Sequence, residues 1–271
     1  MLRYWMLLAC GLNVLAGGWV PKQGQAYQKW ALNQFQTDTR FNQDGEAQDM
    51  PEFTDTNLSY YFEFGFAPRW AVLGALSYKD LSADSVNGDS QDASGFGDVD
   101  LGLRYALIEN RPTVLAAQLL VKLPYLYDET DTLPRGNGQE DIELRLALGR
   151  GLGKFGYIGL EGGHRWRLEA PSDEWRYQIE YGLSFSPNWY GRTKIDGTSS
   201  RNNASVLDLP ESENPTLLLD ADLTRWEWTI GWHQAPRLEG QWGVEATVTP
   251  LVDGRNTAKG TQYQIGVTLQ F

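Results

Sequence analysis

The last eleven residues constrain this chain more than any other stretch. Thr261, Tyr263, Ile265, Val267, Leu269 and Phe271 alternate with Gln262, Gln264, Gly266, Thr268 and Gln270. A helix, with 3.6 residues per turn, cannot sort those two sets onto separate faces. A strand does so, because successive side chains point to opposite sides. The same pattern recurs in Ile142, Leu144, Leu146 and Leu148 against Asp141, Glu143, Arg145 and Ala147. It recurs again from Trp175 to Phe185, and in Leu58, Tyr60, Phe62, Phe64 and Phe66.

Twelve strands are expected, over 26–36, 56–66, 69–79, 96–107, 113–124, 140–149, 155–167, 174–185, 188–197, 222–233, 240–249 and 260–271. Most are near the ~9–11 residues that a tilted strand needs to cross a bilayer. The connections alternate in length. Short ones fall near Ala67-Pro68, Ile108–Pro112, Arg150–Lys154, Ser186-Pro187 and Ala235–Glu239. Longer ones, rich in Asp, Asn, Gly and Ser, cover 37–55, 80–95, 125–139, 198–221 and 250–259. Outer-membrane barrels alternate in this way, with short turns in the periplasm and long loops outside. The expected fold is therefore all-β, a closed antiparallel transmembrane barrel of about twelve strands with an even strand number. The expected location is the outer membrane of a Gram-negative bacterium, with lipid and lipopolysaccharide as surroundings. Trp70, Trp189 and Trp242 each follow a short turn, where an interfacial ring is favoured.

Composition agrees with a barrel. Eleven Trp and thirteen Tyr sit in a chain whose mean hydropathy is negative. A net charge of -12 argues against nucleic acid as a partner. At the N-terminus, Arg3 precedes an apolar stretch from Tyr4 to Leu15, and Val14-Leu15-Ala16 offers a cleavage site before Gly17. Residues 1–16 are thus expected to be a signal peptide and residues 17–271 the barrel. A lipoprotein reading, with Cys10 as the acylated residue, competes with cleavage there.

The polar strand faces carry charges of both signs. Glu63, Asp98, Asp100, Arg104, Glu143, Arg145, Arg176, Glu180, Arg192 and Glu227 are the chief lumen-facing candidates. Lys122, Asp141, Glu161, Arg165, Arg167, Lys194, Arg225 and Glu245 share their parity. Facing lipid at midplane, an Arg or Lys would cost ~2–4 kcal/mol. Two roles fit these charges: a charged channel, or a salt-bridged filling of a narrow barrel. Chemistry is not expected. Only His164 and His233 are present, and no Ser pairs with His164 by spacing as a lipase-like barrel enzyme requires. Two isolated histidines make no metal motif. Gly95-Phe96-Gly97-Asp98 lacks the third glycine of a nucleotide fingerprint, and no cofactor is expected.

Several stretches carry a resemblance to a known family. They are Gly17-Gly18-Trp19-Val20-Pro21-Lys22-Gln23-Gly24, Gly95-Phe96-Gly97-Asp98 leading into Val99–Leu107, and Gly254-Arg255-Asn256-Thr257. The chain resembles the outer-membrane proteins named for the MetA pathway of phenol degradation. Phe271 likewise resembles the C-terminal signal read by the barrel-assembly machinery, which makes that machinery an expected partner. The resemblance implies a barrel and uptake of small, often hydrophobic or aromatic molecules, and supplies no binding residues. The leading expectation is a passive outer-membrane channel or uptake protein that performs no chemistry. The alternatives are a closed structural barrel whose loops bind lipid or a partner, and a lipase-like enzyme.

Overall fold

The computed structural model describes residues 17–84, 89–128, 131, 133–205, 214–234 and 240–271. The expected signal segment 1–16, Cys10 within it, and the expected turn at Ala235–Glu239 lie outside the described residues. The strands are β1 (Ala26–Phe41), β2 (Ala47–Ala67), β3 (Trp70–Asp84), β4 (Ser90–Ile108), β5 (Thr113–Leu123), β6 (Asp141–Gly151), β7 (Tyr157–Arg167), β8 (Glu174–Ser184), β9 (Trp189–Ser200), β10 (Asp222–His233), β11 (Gln241–Arg255) and β12 (Thr257–Gln270). A 3₁₀ turn, Gly153–Phe155, lies between β6 and β7.

Each strand pairs antiparallel with its sequence neighbours, and β12 returns to β1, so the sheet is a closed barrel. The seam runs from Tyr27↔Gln270 to Phe41↔Thr257. Closure leaves no unpaired edge, which in lipid would strand backbone groups at several kcal/mol each. Alternation sorts the side chains. Leu144, Leu146, Ile179 and Ile265 are half or more exposed on the outer face, whereas Ala71, Ala116 and Ala147 are fully buried. Trp70, Trp189 and Trp242 are also outward, at the short-turn end.

Three expected loops are corrected. Much of 37–55, 80–95 and 250–259 is strand rather than loop: β1 and β2 turn at 42–46, and β11 and β12 turn at Asn256. The β1–β2 turn is tight because Asn42 Oδ1 accepts from the backbone of Asp44 and Glu46, with Gly45 at φ 79°. Acidic residues there read as loop, yet a strand above the hydrocarbon can carry them outward in water. Its inward positions are buried, several of them apolar. Phe53, Leu81 and Ala83 bury together with Leu133, and Phe35 and Met50 pack against them.

Residues 17–25 precede β1 and run across the short-turn end. Gly18 lies against the backbone of Val114, Leu115 and Ala147, so close that a Cβ there would meet Ala147 O at 2.4 Å. Trp19 packs edge-on against Tyr157, with ring centroids 5.4 Å apart, and covers Gly149. Further along, Pro21 and Lys22 lie against Gly65 of β2, and the Gly24 amide donates to Gly65 O at 2.7 Å. In a ring of twelve strands, β6 and β7 stand opposite β1. The segment therefore spans the mouth from one wall to the other.

Candidate functional site: the charged interior

The interior charges group by neighbouring strands. Glu63 on β2 is completely buried and meets Arg104 of β4 at 3.0 Å. Arg104 Nε also donates to Gln118 of β5 at 2.9 Å, and the Tyr61 hydroxyl donates to Glu63. On β5 to β8, Lys122 reaches Asp141 at 3.0 Å. Glu143, 1% exposed, accepts from Arg145 at 2.5 Å and Arg165 at 2.9 Å. Arg145 also reaches Glu161 at 2.9 Å. On the remaining wall, Arg192 stands among Glu180, Glu227 and Glu245 at 3.4–3.7 Å. Lys29 meets Glu245 at 2.6 Å, Lys194 meets Glu227 at 2.8 Å, and Arg225 meets Asp196 at 2.5 Å. The hydroxyls of Tyr157 and Tyr190 donate to Glu180 and Glu245. Such pairs persist in a low dielectric because each charge finds an opposite charge and hydrogen bonds.

Sequence reading did not include Lys29, Lys79 or Asp196 among the interior candidates, and it placed Asp55 in a loop. Lys29 lies two residues from buried Tyr27 and Ala31, so its parity was the signal. Asp196 shares parity with Arg192 and Lys194. Asp55 and Lys79 sit 3.8 Å apart on β2 and β3, near the strand continuation that loop composition concealed.

The long loops fold over the other mouth. Asn214 donates to Pro134 O at 2.8 Å and Asn137 to Leu218 O at 2.9 Å, tying residues 133–139 to 214–221. Arg167 of β7 donates to Leu218 O. Asp220 anchors the same roof. Burial pushes its carboxyl up, but hydrogen bonds from Ser200, Arg255 and Ser172 outweigh this and hold it below the ordinary aspartate range.

Between roof and N-terminal segment the described residues enclose two polar chambers in the lumen. An inner one of about 160 Å³ is bounded by Arg145, Glu161, Arg176, Lys194, Asp196 and Arg225, among others. An outer one of about 250 Å³ lies beneath the roof, with Asp98, Asp100, Lys122 and Arg165 in its wall. Arg176 borders both.

His164 is wedged between Trp166 and Trp175, with both ring centroids at 4.6 Å, and these Trp rings are exposed on the outer face. His233 Nδ1 contacts Gln241 Nε2 and Gln234 O near the short-turn end. No group of three metal-ligating side chains occurs among the described residues.

No family model and no curated protein matches the sequence. Solved structures do share the fold. The chain is similar to an outer membrane channel from Pseudomonas putida F1, with a TM-score of 0.74 at 14% identity, over 94% of this chain and 97% of that one. It is also similar to the NanC porin, at 0.51 and 11% identity, over 88% and 98%. The translocator domain of the autotransporter NalP from Neisseria meningitidis aligns at 0.52 and 10% identity, over 99% and 93%. Identities this low speak to architecture, and the architecture is that of an outer-membrane β-barrel.

Proposed function

We propose that this barrel is a narrow, passive outer-membrane channel for small charged solutes and performs no chemistry. The observation that carries the reading is the pair of charged chambers in the lumen, with Arg176 in the wall of both. Rings of charged side chains set ion selectivity in narrow pores. A polar interior of this kind favours charged solutes over the apolar or aromatic ones that the family resemblance implies. The short-turn end would face the periplasm and the roofed end the exterior. The outer aromatic and aliphatic face would meet lipid, with lipopolysaccharide around the roofed end. The β12 segment ending in Phe271 would present the signal for assembly.

Planar-bilayer recordings on refolded protein test this reading. Small, ion-selective conductance is expected, and Arg176→Glu should shift it toward cations while leaving heat-modifiable gel mobility intact. Arg145→Glu should act mainly on stability, because Arg145 already holds Glu143 and Glu161. A second reading, a closed structural barrel, is favoured by the N-terminal segment and the roof lying across the two mouths. It expects silence in wild type and variant alike at every voltage.

A further inference from the structure

The outer chamber has an uneven charge arrangement. Most of its charged groups are engaged by neighbours. Lys122 is held by Asp141 and lies 3.7 Å from Asp98. Asp98 accepts from the Tyr127 hydroxyl at 2.5 Å. Arg165 donates to Glu143 at 2.9 Å and Asp141 at 3.3 Å, and Arg167 is bound by Glu174 and Leu218 O.

Two groups of opposite sign are not so engaged. Asp100 Oδ1 is buried with no hydrogen-bond partner, and among the described residues no cation lies within ion-pair distance of that carboxylate. Arg176 makes no hydrogen bond among the described residues, and its nearest carboxylates stand back at 3.6 Å (Glu143) and 3.9 Å (Glu174). Asp100 is on β4 and Arg176 on β8, four strands apart around the ring, and both stand in the wall of the chamber. Buried polar atoms are nearly always satisfied, and a carboxylate left without a donor is costly. A solute that brings a cation to Asp100 and an anion to Arg176 would satisfy both at once.

We propose that the outer chamber binds a small zwitterionic solute, with its ammonium directed to Asp100 and its carboxylate to Arg176. Its volume, about 250 Å³, is below the ~300–1,000 Å³ of pockets for drug-sized ligands and suits an occupant of amino-acid size. Planar guanidinium suits carboxylate in particular, since its fork of donors matches two oxygens. The inference rests on the channel reading only in taking the chamber to be reachable by solute.

The test is equilibrium dialysis on the refolded full-length barrel in detergent. The probes are the radiolabelled ω-amino acids from glycine to 6-aminohexanoate, whose charge separation grows by one methylene at a time. Alkylamines and alkanoates of matching length serve as controls. One chain length should bind best, by about tenfold over both of its singly charged analogues, the range of a charge-assisted hydrogen bond. Asp100→Asn should remove the preference for the amine end and Arg176→Gln the preference for the carboxylate end. Arg176→Lys should retain part of the latter and serves if the Gln variant does not fold; Asp100→Ser does the same for Asn. Equal uptake of zwitterion and controls, no saturable uptake, or an unchanged profile in both variants would overturn the proposal. Dialysis reads binding without transport. Conductance with no zwitterion binding sinks this site alone, and binding without conductance sinks the channel alone.

Discussion

The backbone nitrogen of Gly17 lies 3.0 Å from Glu161 Oε1, although 144 residues separate the two in sequence. Glu161 also holds Arg145, so one carboxylate joins the segment before β1 to the ion pairs of β6 and β7. Cleavage before Gly17 would turn that nitrogen into an α-ammonium and the hydrogen bond into an ion pair. The contact depends on Gly18, whose missing side chain lets the segment lie on the β5–β6 backbone. Gly18→Leu should therefore lift the segment off the wall, since its Cβ would fall 2.4 Å from Ala147 O. Overpacking of this kind costs ~1–3 kcal/mol, and it falls on the segment before β1 rather than on the strand pairing. The expected result is trypsin cleavage after Lys22 in the folded variant, and not in the parent, with a larger conductance in bilayers.

Glu63 and Arg104 form the most deeply buried ion pair described, at 0% and 4% exposure. Glu63→Leu should destabilise by ~3–5 kcal/mol, because Arg104 would remain charged and unmatched in the interior. Glu63→Leu combined with Arg104→Leu should recover most of that loss. Urea unfolding followed by gel mobility measures both. A double variant as unstable as the single one would show that the pair is not the source of the effect.

Leu146 is 54% exposed on the outer face of β6, midway between Asp141 and Gly151. Leu146→Arg should cost ~2–4 kcal/mol if that position meets the hydrocarbon midplane. The same substitution at Phe271, 59% exposed at the rim, should cost ~0–1 kcal/mol. Refolding equilibria in vesicles compare the two. Equal costs would place the hydrocarbon band elsewhere on the barrel.

Acid should loosen the roof before it affects the barrel wall. The Asp220 carboxyl is held below its ordinary range, so its contribution is complete at neutral pH and is lost as pH falls through the lowered value. Hydrogen exchange at Ser172, whose amide donates to Leu219 O, and at Ala204, whose amide donates to Ser172 Oγ, should accelerate there. Correction for intrinsic exchange isolates the effect. Asp220→Asn should show the faster exchange already at neutral pH and little further response to acid.

Strand count and closure could be read from sequence because lipid enforces parity: Leu144 and Ile265 had to be on the outside of any barrel built from their segments. Partner choice could not. Alternation puts Arg145 and Arg176 on one face, yet it does not tell that Arg145 is clamped by Glu143 and Glu161 while Arg176 stands apart. That difference depends on register across several strands. The extra length of β1 and β2 was concealed by acidic outward residues, and only the inward Phe53 hinted at it. The path of residues 17–25 had a faint sign in Gly17-Gly18. Paired glycines permit a close backbone approach, but nothing local names the wall approached.

At the seam, the Ala26 amide donates to Phe271 O at 2.7 Å and the Phe271 amide returns the bond to Ala26 O at 3.1 Å. The fold is consequently a ring in which no strand is privileged as first. A chain permuted to open at the β3–β4 hairpin, with a short linker joining 271 to 26, retains every strand neighbour. In the natural order, by contrast, β1 cannot be sealed until β12 exists, and a ribosome makes β12 last. Every earlier stage carries two unpaired edges, so the wall can close only when its last strand is in place.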